Sequence, residues 1–140
     1  MAADLQDAPV TKAHAQLTLE LARSDSGDRA RRLTEECLHT WGLEALSYTA
    51  KLVVMELFTN VIDHTNSALA TVCLYPRSTF VVIEVTDYDP RQVPIVQAEG
   101  VDELPESGRG MFLVAALARM HGHIGNPGGG WTRFAVIEVA

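Results

Sequence analysis

Apolar and polar positions follow two different periods along this chain, and the places where one gives way to the other mark its elements. Residues 14–22, His-Ala-Gln-Leu-Thr-Leu-Glu-Leu-Ala, put Leu17, Leu19 and Leu21 on one side, which predicts a half-buried strand. Ser24-Asp-Ser-Gly-Asp28 supplies a turn and a helix N-cap signal. Over 29–41 the period lengthens: Ala30, Leu33, Cys37, Leu38 and Trp41 share a helical stripe, and Gly42 is placed to close that helix. A longer helix is predicted from about Glu44 to His64, with Leu46, Ala50, Val53, Val54, Leu57 and Val61 on its apolar side and Asn66-Ser67 ending it. Alternation returns in 69–75 and 79–86, two strands joined through Pro76-Arg77-Ser78. Residues 87–107 hold three prolines, six acids and one base, and read as a long loop of the kind that is usually functional. Gly108 opens a third helix, to about Met120, with Leu113, Val114 and Leu117 along it; after glycine-rich 122–130 the chain closes on a strand over 131–139.

The predicted order is β-α-α-β-β-loop-α-β. Hairpin-joined strands are antiparallel, so the pattern argues against a doubly wound parallel sheet. It fits an α/β two-layer sandwich: a mostly antiparallel mixed sheet with helices on one face. At 140 residues, 47% hydrophobic and 21% charged, the chain has the make-up of one globular domain, expected over 14–140 after a flexible tail at 1–13.

Charge narrows the function. Eleven basic against eighteen acidic side chains give a net charge of −7, which argues against direct nucleic-acid binding. The two cysteines, Cys37 and Cys73, stand far apart with no metal-ligand companions, and read as thiols of a reducing, cytoplasmic compartment. No apolar run is long enough to predict a membrane span, and neither Lys12 nor Lys51 lies in a P-loop motif.

Candidate chemistry sits in three places. Glu56, Asn60, Asp63 and His64 fall at i, i+4, i+7 and i+8 of the long helix, a polar face opposite the apolar stripe. An amide oxygen there suits a hard cation, and a carboxylate one turn earlier suits a general base. Asp87 ends a strand, where its carboxylate can accept from a purine amine or form a turn. Ser107-Gly108-Arg109-Gly110 precedes helical sequence, and free N–H groups at such a start can receive phosphate.

Order and spacing together resemble a family. Glu56-Leu-Phe-Thr-Asn60-Val-Ile-Asp-His64 is similar to the N box of the Bergerat-fold (GHKL) ATPases, the group of gyrase, histidine kinases and MutL. Asp87 stands where the next motif has its adenine-reading aspartate. Gly108-Arg-Gly110-Met-Phe-Leu-Val resembles the glycine motif after the ATP lid, and Gly129-Gly-Trp-Thr132-Arg-Phe the terminal strand with its threonine. Small size, a short lid and Trp41-Gly-Leu before the N box are similar to RsbW-type (SpoIIAB-like) anti-sigma factor serine kinases, especially short actinobacterial regulators.

The resemblance implies ATP and Mg²⁺ as cofactors. Asn60 would coordinate the metal, Glu56 would act as the base, and Asp63 and His64 would line the same site. Asp87 would hold the adenine amine with Thr132 nearby, and Gly108, Arg109, Gly110 and Met111 would line the phosphates. The implied partners are a sigma factor and a STAS-domain antagonist, with homodimers as in the sporulation type. The sequence departs from the pattern in having Asp87-Tyr-Asp89-Pro90 without the usual glycines, and Trp131 where lysine is frequent. Two functions stay open: a regulator that sequesters a sigma factor and phosphorylates a serine of the antagonist, and a degenerate module that regulates by sequestration alone. The acids Glu99, Asp102, Glu103 and Glu106 predict a lid that stays off the phosphates.

Overall fold

The computed structural model describes residues 16–90 and 106–139, with the side chains of 106–111 outside that description. The expected tail and all of the lid before Glu106 therefore lie outside the described residues.

Strand β1 (Leu17–Ala22) leads through a turn into helix α1 (Asp28–Thr40). Gly27 holds the entry at φ 88°, and its N–H donates to Asp25 Oδ1 at 2.8 Å. Gly42, at φ 74°, closes α1 in the predicted place, with Leu43 N–H reaching back to the Leu38 carbonyl at 2.8 Å. The α1 residues that go under are Ala30, Thr34 and Leu38, while Leu33 and Trp41 pack at the margin. A 3-10 turn (Glu44–Leu46) takes the start of the predicted long helix, and α2 (Ser47–His64) follows.

Helix α2 lies across the sheet and between its neighbours, touching α1, a third helix α3 (Glu106–Leu117), and strands β2 (Leu69–Arg77), β3 (Phe80–Asp87) and β5 (Trp131–Glu138). Its predicted stripe is the core: Ala50, Val53, Val54 and Leu57 are wholly buried, against Leu21, Val72, Leu74, Val81, Ile83, Val85 and Ile137 from the strands. By length and composition alone 44–64 could cross a bilayer, but here its apolar side covers the sheet. At the C-terminal end Arg23 donates to the carbonyls of Ile62, Thr65 and Ser67, a cation placed where the helix dipole favours one.

The sheet has strand order β1-β2-β3-β5-β4, with β4 spanning Met120–Gly125. The two-layer expectation holds, with three corrections. Each of the four ladders is antiparallel, so the sheet is not mixed. The β2–β3 hairpin is tighter than predicted: Arg77 pairs with Phe80, and Ser78-Thr79 make the turn with Ser78 at φ 55°. Finally, α3 starts at Glu106 and ends at Leu117, so Met120 begins a strand inside the segment read as helix end and glycine loop. Strand β4 pairs only with β5 and buries no residue fully, which is why no alternation announces it. Both cysteines are free and half-buried, and burial pushes both thiols up from their ordinary range.

Candidate functional site

Three polar side chains meet under α2, where the aliphatic core stops. Asn60 (2% exposed) comes from the helix, Asp87 (0%) from the end of β3, and Arg133 (1%) from the start of β5. Strand period explains the two strand residues. Asp87 continues the inward series Val81, Ile83, Val85, and Arg133 belongs to the inward series with Ala135 and Ile137. Cross-strand register then sets Arg133 opposite Val85, beside Asp87.

Arg133 holds the other two. Its Nε donates to Asn60 Oδ1 at 2.6 Å and its Nη1 to Asp87 Oδ2 at 2.6 Å, both charge-assisted bonds inside the protein. Asp87 Oδ1 accepts the Asp89 N–H at 3.0 Å, so the carboxylate is also a turn residue. Asp89 Oδ2 in turn accepts the Asn66 N–H at 2.7 Å, and Ser67 Oγ accepts the Tyr88 N–H at 2.8 Å. These bonds tie the segment after α2 to the segment after β3. Glycine makes room for the arrangement: a Cβ on Gly130 (φ +84°) would stand 2.2 Å from the Asp87 carbonyl oxygen.

Two buried donors in this centre have no hydrogen-bond partner among the described residues, Asn60 Nδ2 and Arg133 Nη2. Each acceptor oxygen has one donor on it, and the polar atoms with no partner at all among the described residues are N–H groups. That inventory decides how a cation would fare. The oxygen through which Asn60 would ligate Mg²⁺ already faces a guanidinium. A divalent ion there would have to displace that hydrogen bond and sit against a cation whose own counter-charge, Asp87, is already paired with it. The residues present therefore do not fit Mg²⁺ in this conformation, nor an adenine amine on Asp87 Oδ2. Among the described residues no group of three His, Cys, Asp or Glu side chains offers another metal site.

The remaining candidates are spread around this centre. Glu56, one turn before Asn60, is half-exposed, with no hydrogen bond or ion pair among the described residues. It lines a cleft of about 290 Å³ with Arg31, Tyr48, Lys51, Leu52 and Met55. Asp63 is exposed, and His64 is half-buried with its Nε2 unpartnered. The four N-box residues thus do not share a solvated face: Asn60 lies with the apolar stripe. Thr132 is on the far side of the sheet from Asp87, its hydroxyl 2.8 Å from that of Thr86 and within reach of the Asn126 amide. Gly108, Arg109, Gly110 and Met111 fall in the first half of α3, and the side chains of Arg109 and Met111 lie outside the described residues.

Arg133, which organises the centre, lies inside the terminal-strand phrase, which gives it no role. A signal for it exists: a charged residue in step with Ala135 and Ile137 faces inward, and an inward charge calls for a buried counter-charge such as Asp87.

No curated protein matches the chain significantly. A family profile described as the histidine kinase-like ATPase domain matches residues 21–136, from the end of β1 through nearly all of β5. That span holds the whole α2–Asp87–Arg133 centre, and domains of this family bind ATP with Mg²⁺. The chain therefore belongs to the histidine kinase-like ATPase domain family, with a guanidinium lodged between the two side chains that the resemblance assigns to metal and adenine.

Proposed function

We propose that this domain is a cytoplasmic regulator of the anti-sigma type. It holds a sigma factor away from RNA polymerase and gives it up to a STAS-domain antagonist, by protein binding rather than phosphoryl transfer. One observation carries the choice between binding and transfer: Arg133 engages the oxygens of Asn60 and Asp87 that a kinase of this family would turn to Mg²⁺ and adenine. Family membership over 21–136 and the N-box phrase on α2 support the anti-sigma class, and an acidic chain of net charge −7 suits partners with basic surfaces.

The test is to mix the full chain with candidate sigma factors and STAS proteins, with and without Mg-ATP. Complexes are followed by size-exclusion chromatography and each partner by intact mass. The reading expects a sigma complex that forms without nucleotide and a STAS protein of unchanged mass. A gain of one phosphate on a STAS serine would refute it.

The second reading is the anti-sigma serine kinase, and Glu56 is the observation in its favour. A half-exposed carboxylate with no internal partner, one turn from Asn60, is available to take a proton from a serine hydroxyl. Under that reading Glu56→Gln abolishes the mass gain and leaves sigma binding intact.

A further inference from the structure

We propose that Arg133 closes this site to Mg²⁺ and the adenine amine, and that replacing it reopens a latent Mg-ATP site. The inference rests on the reading that the wild-type domain works without phosphoryl transfer, and deepens it by naming the side chain responsible.

Asn60 Oδ1 and Asp87 Oδ2 are the acceptors that Mg²⁺ and an exocyclic amine need, and Arg133 takes both at 2.6 Å. The atoms with no partner among the described residues, Asn60 Nδ2 and Arg133 Nη2, are donors and turn away a cation or an amine.

The backbone of β5 does not require a guanidinium at this position. The register of β5 on β3 is made by backbone pairing, Val85 with Arg133 and Thr86 with Thr132, whatever side chain stands at the position. The inward neighbours on β5 are Ala135 and Ile137, so an aliphatic side chain continues an existing apolar series. Arg133 is almost wholly buried, yet one of its terminal nitrogens has no partner among the described residues, so it is incompletely satisfied by them even where it sits. Removing the guanidinium alone leaves the Asp87 carboxylate buried without its counter-charge, so the variant is expected to be less stable than wild type and to regain stability when a cation or amine occupies the site. Valine, which branches at Cβ and suits a strand, frees both oxygens and leaves the backbone as it is.

The experiment is calorimetric titration of ATP and GTP into the full-length wild type and Arg133→Val, each in Mg²⁺ and in excess chelator. Circular dichroism checks that the variant is folded. The wild type is expected to show no Mg²⁺-dependent ATP binding. Arg133→Val should gain Mg²⁺-dependent affinity of at least about tenfold, the scale on which a metal site responds to its supporting groups. That gain should favour ATP over GTP and vanish when Asn60→Ala is added. Two results overturn the inference: a folded Arg133→Val with no Mg²⁺-dependent binding, or a wild type whose ATP affinity falls on chelation and falls again in Asn60→Ala. If the valine variant does not fold, Arg133→Met fills more of the same space, and the wild-type titration still decides. Failure here is distinct from failure of the regulatory reading, because a phosphorylated STAS serine contradicts that reading and an unresponsive Arg133→Val contradicts only this one.

Discussion

The layer between α2 and the sheet is built in two halves that obey different rules. In one half Ala50, Val53, Val54 and Leu57 meet Leu21, Val72, Leu74 and Ile83, all wholly buried and none carrying a polar side-chain atom. In the other half the same helix face and the same strands bring together Asn60, Asp87 and Arg133, equally dry and joined by two bonds of 2.6 Å. Contact in the first half is non-directional and tolerates exchange of shape for shape. In the second, each group is acceptable underground only because its neighbour is present. The polar half is therefore where sequence has been committed to something other than stability, and it holds the residues that the resemblance assigns to metal and adenine.

Substitutions can set the two halves against each other. The largest effect is expected from Asp87→Ala, which strands the Arg133 charge in a dry site. It should cost about 3–5 kcal/mol in denaturant unfolding, whereas replacing both partners together, Asp87→Leu with Arg133→Met, should bring stability back to near wild type. If the double variant is as unstable as the single, the polar half is structural after all. Leu57→Ala in the aliphatic half should cost about 3 kcal/mol through lost burial and a cavity, with no second substitution needed to explain it. Thr132→Val should cost only about 1 kcal/mol, the worth of its hydroxyl contact with Thr86. It should not disturb Arg133, because the two side chains leave β5 on opposite faces; a disturbed Arg133 would merge regions separated here.

The smallest effect concerns the open face. Burial of the Tyr75 phenol, then its hydrogen bond to Glu84 and the nearby carboxylate charge, pushes its pKa up to about 12 from the ordinary 10.0. A folded pKa raised in this way means that the unfolded chain loses the phenolic proton first. The contribution is complete below pH 10.0 and is lost as the pH rises towards about 12. Melting curves across that window should fall more steeply for wild type than for Tyr75→Phe.

Most of the fold was legible because burial follows period. Leu19 and Leu21, Val81, Ile83 and Val85, and the α2 stripe all lie where alternation or three-and-four spacing puts them. Strand β4 was not legible, since Met120-His-Gly-His-Ile-Gly125 is an edge strand that buries no residue fully, with Met120 and Ile124 more than half exposed. The site was half legible. Asn60 and Asp87 were found by motif and do converge, but the motif assigns them to a ligand and is silent on Arg133. Reading that residue needs the strand period to be applied to a charge, against the habit of sending charges outward. Thr132 shows the converse: motif proximity placed it with Asp87, and the two-residue repeat places it on the other face.

The central claim is that Arg133 keeps Asn60 and Asp87 in the wild-type protein even when nucleotide is offered. Its side-chain Nε–H can be followed directly by proton–nitrogen NMR of the full chain, assigned by its loss in Arg133→Val. A buried N–H held at 2.6 Å should exchange slowly with solvent and keep its shift through a titration with Mg-ATP. A saturable shift, or loss of protection as Mg-ATP is added, would mean that the guanidinium leaves and the site takes its ligand, and would contradict the account.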